Sequence, residues 1–335
     1  MRFLPIVICI CLASAIAGMA EAQAQTPSIN GPLVGFLPDE AGASIFPIIG
    51  IPGASLLTTP IQLNAAIRRA VIAPRQDYAL AISNSDARVV VVDLAGMSVV
   101  EIDGVETAPA LLAISPGGAA AGVYNDSSQT VQVVQGLPSA PAVAYSLDAS
   151  QIVGRAAALS ISDDGAVVLI KTTTDQGSGL WVINSSGAVS RLPIAQPSAA
   201  AFFANKEDAI VSDDATQSAF IVMDAGRAAT QVPLVSAIDG MTGFSSIAAS
   251  DDGGKVFLQD GSSGKVAIVD VQTRTWNVMG CGCQATGLMR LKGNSVFRFA
   301  NASTQPVMVL DASGIEPRIV VVPPPRVIAL PEYGQ

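Results

Sequence analysis

The amino-acid sequence predicts an all-β fold, a β-propeller in which each blade has four antiparallel strands. Six segments share one order of features: an apolar strand, a turn, a second apolar strand, a polar hairpin, a Val-rich third strand and a shorter fourth strand. The first turns of these segments begin 42, 47, 42, 46 and 41 residues apart. Because propeller repeats run about 40–45 residues, this period predicts one blade per segment.

The third strands give a second measure of the period. They are rich in Val and Ile, and they occupy 88–93, 130–135, 180–184, 219–224, 265–270 and 306–311. Their last residues are 42, 49, 40, 46 and 41 apart, so both landmarks drift together. The strands lack strict alternation of apolar and polar residues, which indicates that neighbouring blades cover both faces of each sheet.

Short polar segments separate the strands. The first turn of each repeat lies at 73–77, 115–118, 162–165, 204–208, 250–253 and 291–294. The hairpin between the second and third strands lies at 83–86, 125–128, 174–177, 213–216, 260–263 and 301–304. Ser, Asp, Asn and Gly end strands at such places because they bond the local backbone and tolerate left-handed geometry. The one helix candidate is 61–70, an insertion before the first full repeat.

The two ends of the chain decide how many blades the ring has. Residues 31–53 predict the outer half of a blade, with the third and fourth strands only, and the six repeats follow over about 65–322. We expect 326–330 to pair with this half-blade and close a ring of seven blades. The alternative is six blades with an additional N-terminal hairpin. Either way, 25–335 is predicted to be a single propeller domain.

The first 24 residues predict a secretory signal peptide. Arg2 precedes an apolar stretch over 3–17, and small residues two apart offer cleavage after Ala22 or Ala24. An uncleaved membrane anchor is the alternative, but the apolar stretch is shorter than the ~20 residues that span a bilayer. We therefore expect an exported protein, periplasmic or extracellular, that does not insert into a membrane after cleavage.

The repeat resembles those of known bacterial propellers. The Ser-Asp-Asp-Gly turns at 162–165 and 250–253, together with Val-rich third strands that end in Asp, are similar to the YVTN, lactonase-like and TolB-like propeller repeats. The resemblance covers about 72–322, and any likeness to the WD-type repeat is in shape only. It implies a funnel-shaped ring whose loops or central channel bind something, commonly another protein. No active-site motif of these families matches positions in this chain, so the resemblance implies no catalytic residue.

The composition excludes several classes of catalytic mechanism. The chain has no histidine, which excludes Ser-His-Asp and Cys-His mechanisms and imidazole metal sites. Adjacent carboxylates occur as Asp163-Asp164, Asp213-Asp214 and Asp251-Asp252. A calcium site or an acid–base pair is one interpretation, but each pair falls where a turn is required, so turn formation is the better one. We predict no cofactor, no metal site and no catalytic residue.

Cys281 and Cys283 form the least expected motif, a Cys-Gly-Cys loop after a fourth strand and near the predicted ring entrance. In an oxidising compartment these two cysteines are expected to pair, as a structural clip. The alternatives are a free or intermolecular thiol pair, and a redox or metal role. A disulfide across one residue closes a small strained loop, which is more easily reduced.

Charge and aromatic content limit the partners. The net charge is −9, and the 18 Lys and Arg residues form no run longer than Arg68-Arg69, so nucleic acid is not expected to bind. Trp181 and Trp276 both fall inside predicted strands. We expect them to pack in the core or between blades, with stacking on a sugar as the alternative.

These observations favour a monomeric, non-enzymatic propeller that binds a protein or a small ligand, or serves as a scaffold, through loops around the ring entrance. The first alternative is a histidine-free hydrolase or lyase that uses carboxylates and a divalent cation. Acidic side chains converging in the channel would favour that enzyme, whereas a channel of Ala, Val, Ser and Gly would argue against it. The second alternative is a thiol–disulfide role for the Cys-Gly-Cys loop.

Overall fold

The protein is a seven-bladed β-propeller. Its structure is a computed structural model that describes residues 31–39, 42–282, 287–299 and 306–324. These residues form 27 β-strands in seven antiparallel sheets and contain no α-helix. We number the sheets as blades 1 to 7 along the chain; blade 1 holds the first three strands and each later blade holds four. The predicted fold class and blade number are confirmed.

The first strand of each four-stranded blade lies innermost, because these strands contact one another around the ring. They are short and rich in Ala, Ile, Leu and Ser. They are β4 (Ile67–Ile72), β8 (Leu111–Ile114), β12 (Arg155–Ile161), β16 (Pro197–Phe202), β20 (Ser246–Ala249) and β24 (Leu288–Arg290).

The second and third strands form the middle of each blade and are almost completely buried, as expected for sheets covered on both faces. The second strands are β5 (Tyr78–Ser83), β9 (Ala120–Asn125), β13 (Val167–Thr174), β17 (Ala209–Asp213), β21 (Lys255–Asp260) and β25 (Val296–Phe299). The third strands are β6 (Val89–Asp93), β10 (Thr130–Gln135), β14 (Gly177–Asn184), β18 (Ser218–Met223), β22 (Lys265–Asp270) and β26 (Val307–Asp311). The predicted third strands are thus confirmed within two or three residues at each end.

The fourth strands form the outer rim and are partly exposed. They are β7 (Ser98–Glu101), β11 (Ala142–Asp148), β15 (Val189–Arg191), β19 (Thr230–Ser236), β23 (Trp276–Gly280) and β27 (Arg318–Val322). Hairpins between second and third strands share one end of the ring, which we call the hairpin end. Turns between first and second strands share the other, the turn end. Innermost strands begin at the hairpin end, since Arg68 pairs with Ile82 and Arg155 with Thr173 near the ends of their second strands.

Blade 1 differs from the prediction. It has three described strands, β1 (Leu33–Pro38), β2 (Ile45–Ile51) and β3 (Ala54–Leu57), where the sequence predicted only a third and a fourth strand over 31–53. β1 contacts β4, as second strands elsewhere contact the next innermost strand, and β3 contacts the outer strand β27. The three strands therefore occupy the second, third and fourth positions. The predicted closing strand, 326–330, lies outside the described residues.

The helix predicted over 61–70 is also wrong. The segment approaches blade 2 in extended form, and its second half begins β4. Arg68 pairs with Ile82 in the sheet, and Ile67 packs in the cluster between blades 1 and 2. Burial of Ile67 and the sheet hydrogen bonds outweigh the moderate helix propensity of the Ala, Arg and Gln residues in this segment.

Hydrophobic clusters hold the ring together, one between each pair of adjacent blades in the described residues. The cluster between blades 7 and 1 joins the two ends of the chain, because Leu37 and Ile48 pack there with Val307 and Val309. Fully burying one such side chain contributes about 1.5–3 kcal/mol. Ring closure therefore rests on the same kind of apolar packing as that between consecutive blades.

Hydrogen bonds of the Gln76 side chain also close the ring, at the turn end, and we call them the polar closure. This side chain, 3 % exposed, belongs to blade 2. Its Oε1 accepts a hydrogen bond from Phe36 N of blade 1 at 2.7 Å, and its Nε2 donates to Arg290 O of blade 7 at 2.7 Å. Lys292 N of blade 7 donates to Val34 O on the same edge of β1 at 2.8 Å. The inner edge of blade 1 is thus bonded to both neighbouring blades.

Candidate binding site at the ring channel

The described innermost strands, which line the central channel, carry positive charge and no carboxylate. The six innermost strands contain no Asp or Glu, although the whole chain has 27 acidic residues and only 18 basic ones. The charged residues on these strands are Arg68, Arg69, Arg155 and Arg290. The remaining residues are mostly Ala, Leu, Ile, Val and Ser. An acidic protein therefore has a channel wall with the opposite charge.

Three of these arginines lie at the hairpin end. Arg68 and Arg155 are exposed, on blades 2 and 4. Arg69 is held against blade 3, because its Nη1 donates to Ala110 O at 2.6 Å. Strand geometry fixes these positions, since the first residues of innermost strands lie beside the channel mouth. Among the described residues, the mouth therefore presents one anchored guanidinium group and two that have no hydrogen-bond or ion-pair partner.

Lys171 adds a fourth cation close to this mouth. It lies on β13, and its Nζ donates to Ser198 O near the start of β16 at 2.6 Å. Burial lowers the pKa of Lys171, and the nearby Asp214 carboxylate acts in the opposite direction. The hydrogen bond to a backbone carbonyl satisfies one of three ammonium donors, so the group can still bind an acceptor.

Asp213 and Asp260 at the hairpin end accept hydrogen bonds from nearby groups, whereas Asp175 on the blade 4 hairpin is exposed. Asp260 accepts hydrogen bonds from Ser262 N at 2.9 Å and from Thr242 N at 2.7 Å. Burial alone would raise the pKa of Asp260, but these bonds and those from Ser262 Oγ and Ser263 outweigh it and lower the pKa. A general acid at neutral pH needs a raised pKa, so Asp260 is poorly suited to that role.

The adjacent carboxylates named in the sequence form turns, as predicted. Asp164 accepts from Ser162 Oγ at 2.7 Å, and Asp252 accepts from Ser250 Oγ at 2.6 Å, within their own turns. The other member of each pair points elsewhere. Asp163 accepts from Asn205 N of blade 5 at 2.6 Å, and Asp251 forms an ion pair with Arg290.

The third pair divides in the same way. Asp213 accepts from Ala215 N within its hairpin at 3.0 Å, while Asp214 accepts from Phe244 N of blade 6 at 3.1 Å. Within the described ranges, no group of three or more Asp, Glu, Cys or His side chains is arranged to hold a metal ion.

At the turn end of the channel, Arg290 is held by neighbouring groups. Arg290 lies over the Phe297 ring, 5.6 Å from its centroid, and donates to Ala249 O. Burial lowers the pKa of Arg290 to about 10, which the Asp163 carboxylate partly opposes. Because this guanidinium is already paired with Asp251, it stabilises the contact between blades 6 and 7 and is not available to a ligand.

A separate cleft of about 930 Å³ opens at the turn end between blades 1 and 2. Leu33, Phe36 and Met97 supply apolar walls, and the Arg75 and Asp77 side chains, 3.4 Å apart, lie at its edge. Its volume is in the range of small-molecule sites. Its arginine is paired with a carboxylate, and Lys292 also lines it.

Cys281 lies immediately after the outer strand β23. It is therefore on the rim, and the prediction that it lies near the ring entrance is wrong. Cys281 N donates to Gly264 O at 2.8 Å, and its side chain, 7 % exposed, packs in the cluster between blades 6 and 7. Cys283 lies outside the described residues, as do the cleavage positions Ala22 and Ala24. The pairing of the cysteines and the cleavage of the leader remain predictions.

The two tryptophans have different surroundings. Trp276 is 47 % exposed on the rim strand β23, so the prediction that it packs in the core or between blades is wrong. Trp181 is half-buried and lines a polar cleft on blade 4.

The arginines of the channel mouth were not predicted from the sequence, where Arg68-Arg69 counted only as a short basic run. Counting charges on the first strand of every repeat would have found them.

Comparisons with known proteins bear on the fold. No protein-family model and no curated protein matches the sequence. Among solved structures, hydrazine synthase from Kuenenia stuttgartiensis is similar with a TM-score of 0.56 and 14 % identity, covering 87 % of this chain and 99 % of that one. A protein of unknown function from Desulfotomaculum acetoxidans is similar with a TM-score of 0.59 and 13 % identity, covering 88 % of this chain and 100 % of that one.

A third similar structure is a candidate 6-phosphogluconolactonase from Bacteroides fragilis, with a TM-score of 0.56 and 14 % identity, covering 88 % of this chain and 95 % of that one. The chain shares its fold with these three structures. Such low identities describe the fold alone, so the activities of these proteins do not transfer. Function has to be argued from the side chains of this chain.

In the described residues, no helix meets the length and apolarity needed to cross a bilayer.

Proposed function

We propose that the protein is an exported, monomeric and non-enzymatic propeller that binds an anionic group at the hairpin end of its channel. The observation that carries the proposal is the distribution of charge, with exposed Arg68 and Arg155 beside a channel wall that has no carboxylate on the described innermost strands. Guanidinium groups bind carboxylates and phosphates through strong, geometrically defined hydrogen bonds. A negatively charged ligand would reach these groups past hairpins on which Asp213 and Asp260 are hydrogen-bonded and Asp175 is exposed.

The same distribution argues against the carboxylate enzyme. Such an enzyme needs acidic side chains that converge where a substrate sits, usually with one pKa raised. The described innermost strands provide none, and hydrogen bonds lower the pKa of Asp260 on the surrounding hairpins. A binding role is the function that this arrangement supports best.

The thiol role is also disfavoured. Cys281 is buried in an apolar cluster, whereas reactive cysteines lie in exposed, electropositive surroundings. We propose that Cys281 and Cys283 form a structural clip on the rim between blades 6 and 7. Mass spectrometry of the mature protein under non-reducing conditions would show the linked pair. The same spectra would locate the N-terminus, which we expect at Gln23 or Gln25.

Binding at the mouth can be tested with two anionic probes, pyrophosphate as a free anion and a hexaglutamate peptide as an acidic protein segment. Isothermal titration calorimetry would measure both against the wild type and the double variant Arg68→Gln/Arg155→Gln. Hydrogen bonds to charged groups contribute about 1.5–3 kcal/mol each, so the double variant should bind at least about tenfold more weakly. Binding should also weaken with added salt.

The control is Arg274→Gln, which removes one positive charge, against two in the double variant, from an exposed turn on the rim of blade 6. Binding of the peptide but not of pyrophosphate would identify an acidic protein as the partner, and the reverse would identify a small anion. The proposal fails if neither probe binds, or if the double variant binds as well as Arg274→Gln.

A further inference from the structure

A second cleft, of about 480 Å³, lies at the hairpin end of blade 4. Its hairpin is formed by β13 and β14, eight residues each, which are the longest strands in the described part of the chain. The polar hairpin residues Thr174 to Ser178 line the cleft on one side, and Val153, 64 % exposed, lines it on another.

Trp181 is the aromatic residue of this cleft. Its Nε1 donates to Thr172 Oγ1 at 3.2 Å, which fixes the orientation of the indole. Gly179 lies beside it, and a Cβ there would come within 3.2 Å of both Trp181 Nε1 and Thr172 Oγ1, and within 3.5 Å of Arg191 Nε. The missing side chain at this glycine therefore lets an indole, a hydroxyl and a guanidinium converge.

Two charged side chains complete the lining. Asp175 and Arg191 are both exposed, and neither takes part in the ion pairs formed between described residues. A carboxylate offers only acceptors and a guanidinium only donors, so together they can bind both the hydrogen and the oxygen of neighbouring hydroxyl groups. Charged partners make such hydrogen bonds stronger than neutral ones.

This combination selects one ligand chemistry. A purely apolar ligand would remove Asp175 and Arg191 from water without replacing their hydrogen bonds, which is unfavourable. A simple anion would be repelled by Asp175 and would make no use of the indole. A sugar ring satisfies all three groups, because it has an apolar C–H face for the aromatic ring and hydroxyl groups at its edge.

We infer that this cleft is a carbohydrate-binding site, in which Trp181 stacks against a pyranose ring and Asp175 and Arg191 bind its hydroxyl groups. The inference does not depend on the channel mouth, since the cleft and the mouth use different residues. It gives the protein a second ligand class, neutral sugar, beside the anionic group proposed for the channel.

Intrinsic fluorescence offers a direct test. The chain has two tryptophans, and Trp276→Phe leaves Trp181 as the only one. This variant would be titrated with maltose, cellobiose, N,N′-diacetylchitobiose and, as a planar ligand that is not a disaccharide, adenosine. We expect at least one disaccharide to change the emission of Trp181 in a saturable way, and adenosine to leave it unchanged. No response to any disaccharide, or a response to adenosine alone, would overturn the inference.

Calorimetry with the sugar that responds would then separate the roles. Trp181→Ala should weaken binding at least about tenfold, from lost apolar contact. Asp175→Asn should weaken binding several-fold while keeping the indole and the fold, since Asp175 is exposed. Arg68→Gln/Arg155→Gln should bind the sugar like the wild type, so this site and the channel mouth can fail independently. Unchanged binding in both Trp181→Ala and Asp175→Asn would contradict the assignment.

Discussion

Gln76 is the residue whose removal should most clearly reveal how the ring closes. Its amide joins three blades, through bonds of 2.7 Å to Phe36 N and to Arg290 O and a weaker one of 3.3 Å to Ala73 O. Gln76→Ala would leave buried backbone groups of blades 1 and 7 without these partners. Each unsatisfied buried group costs about 1–3 kcal/mol, so for two groups we expect the free energy of unfolding to fall by about 2–6 kcal/mol.

A matched control removes the effect of backbone conformation. Gln76 has a φ of 62°, and Gln129 has a φ of 52° on an exposed hairpin of blade 3. Gln129→Ala therefore makes the same substitution on the same type of backbone, without buried amide hydrogen bonds. Exposed substitutions of this kind change stability by less than about 0.5 kcal/mol.

Urea unfolding, followed by far-UV circular dichroism and by tryptophan fluorescence, would measure both variants. A lower midpoint with an unchanged slope would show a loss of stability without a change in the surface exposed on unfolding. If Gln76→Ala unfolded within about 0.5 kcal/mol of Gln129→Ala, the polar closure would be irrelevant, and the apolar cluster between blades 7 and 1 would hold the ring alone.

Two further predictions concern buried and bonded ionisable groups. The Tyr78 hydroxyl donates to Gly118 O at 2.9 Å, and burial, followed by the Asp77 charge, raises its pKa above the usual 10.0. Tyr78→Phe should lower the free energy of unfolding by about 1–2 kcal/mol at neutral pH. The wild type loses the contribution of its tyrosine as pH rises above 10.0, so the urea midpoints of the two proteins should converge above that pH. The Asp260 pKa is lowered despite burial, so its contribution is present above the usual 3.8 and is lost as pH falls below it. Acid unfolding should therefore be less steep in Asp260→Asn, and an equally steep curve would show that other groups control it.

The repeat could be predicted from the sequence because its signals are local. Turn residues such as those at 162–165 and 250–253 act within a few positions, and Val-rich strands buried on both faces reveal themselves by composition. The same locality explains the error in blade 1. A buried second strand such as β1 has the same apolar composition as a buried third strand, so its place in the sheet could not be inferred without its neighbours.

The proposed anion site at the channel mouth depends on which side chains the closed ring brings together. Arg68 and Arg155 belong to different repeats, and only the radial arrangement places both at one end of the channel. The sequence predicts that Trp181 packs in the core or between blades. The cleft beside it could not be predicted, because the space next to Gly179 is bordered by side chains from two other strands.

By itself, the sequence determined the strand period, the four-stranded blade and the absence of histidine chemistry, because these follow from local pattern and composition. Only the tertiary structure decided how the ring closes and which charges face the channel. Gln76 and Arg290 are 214 positions apart, and their hydrogen bond exists only once every blade between them has folded and packed. Contacts of that kind depend on the sum of all blade orientations, which no single repeat encodes.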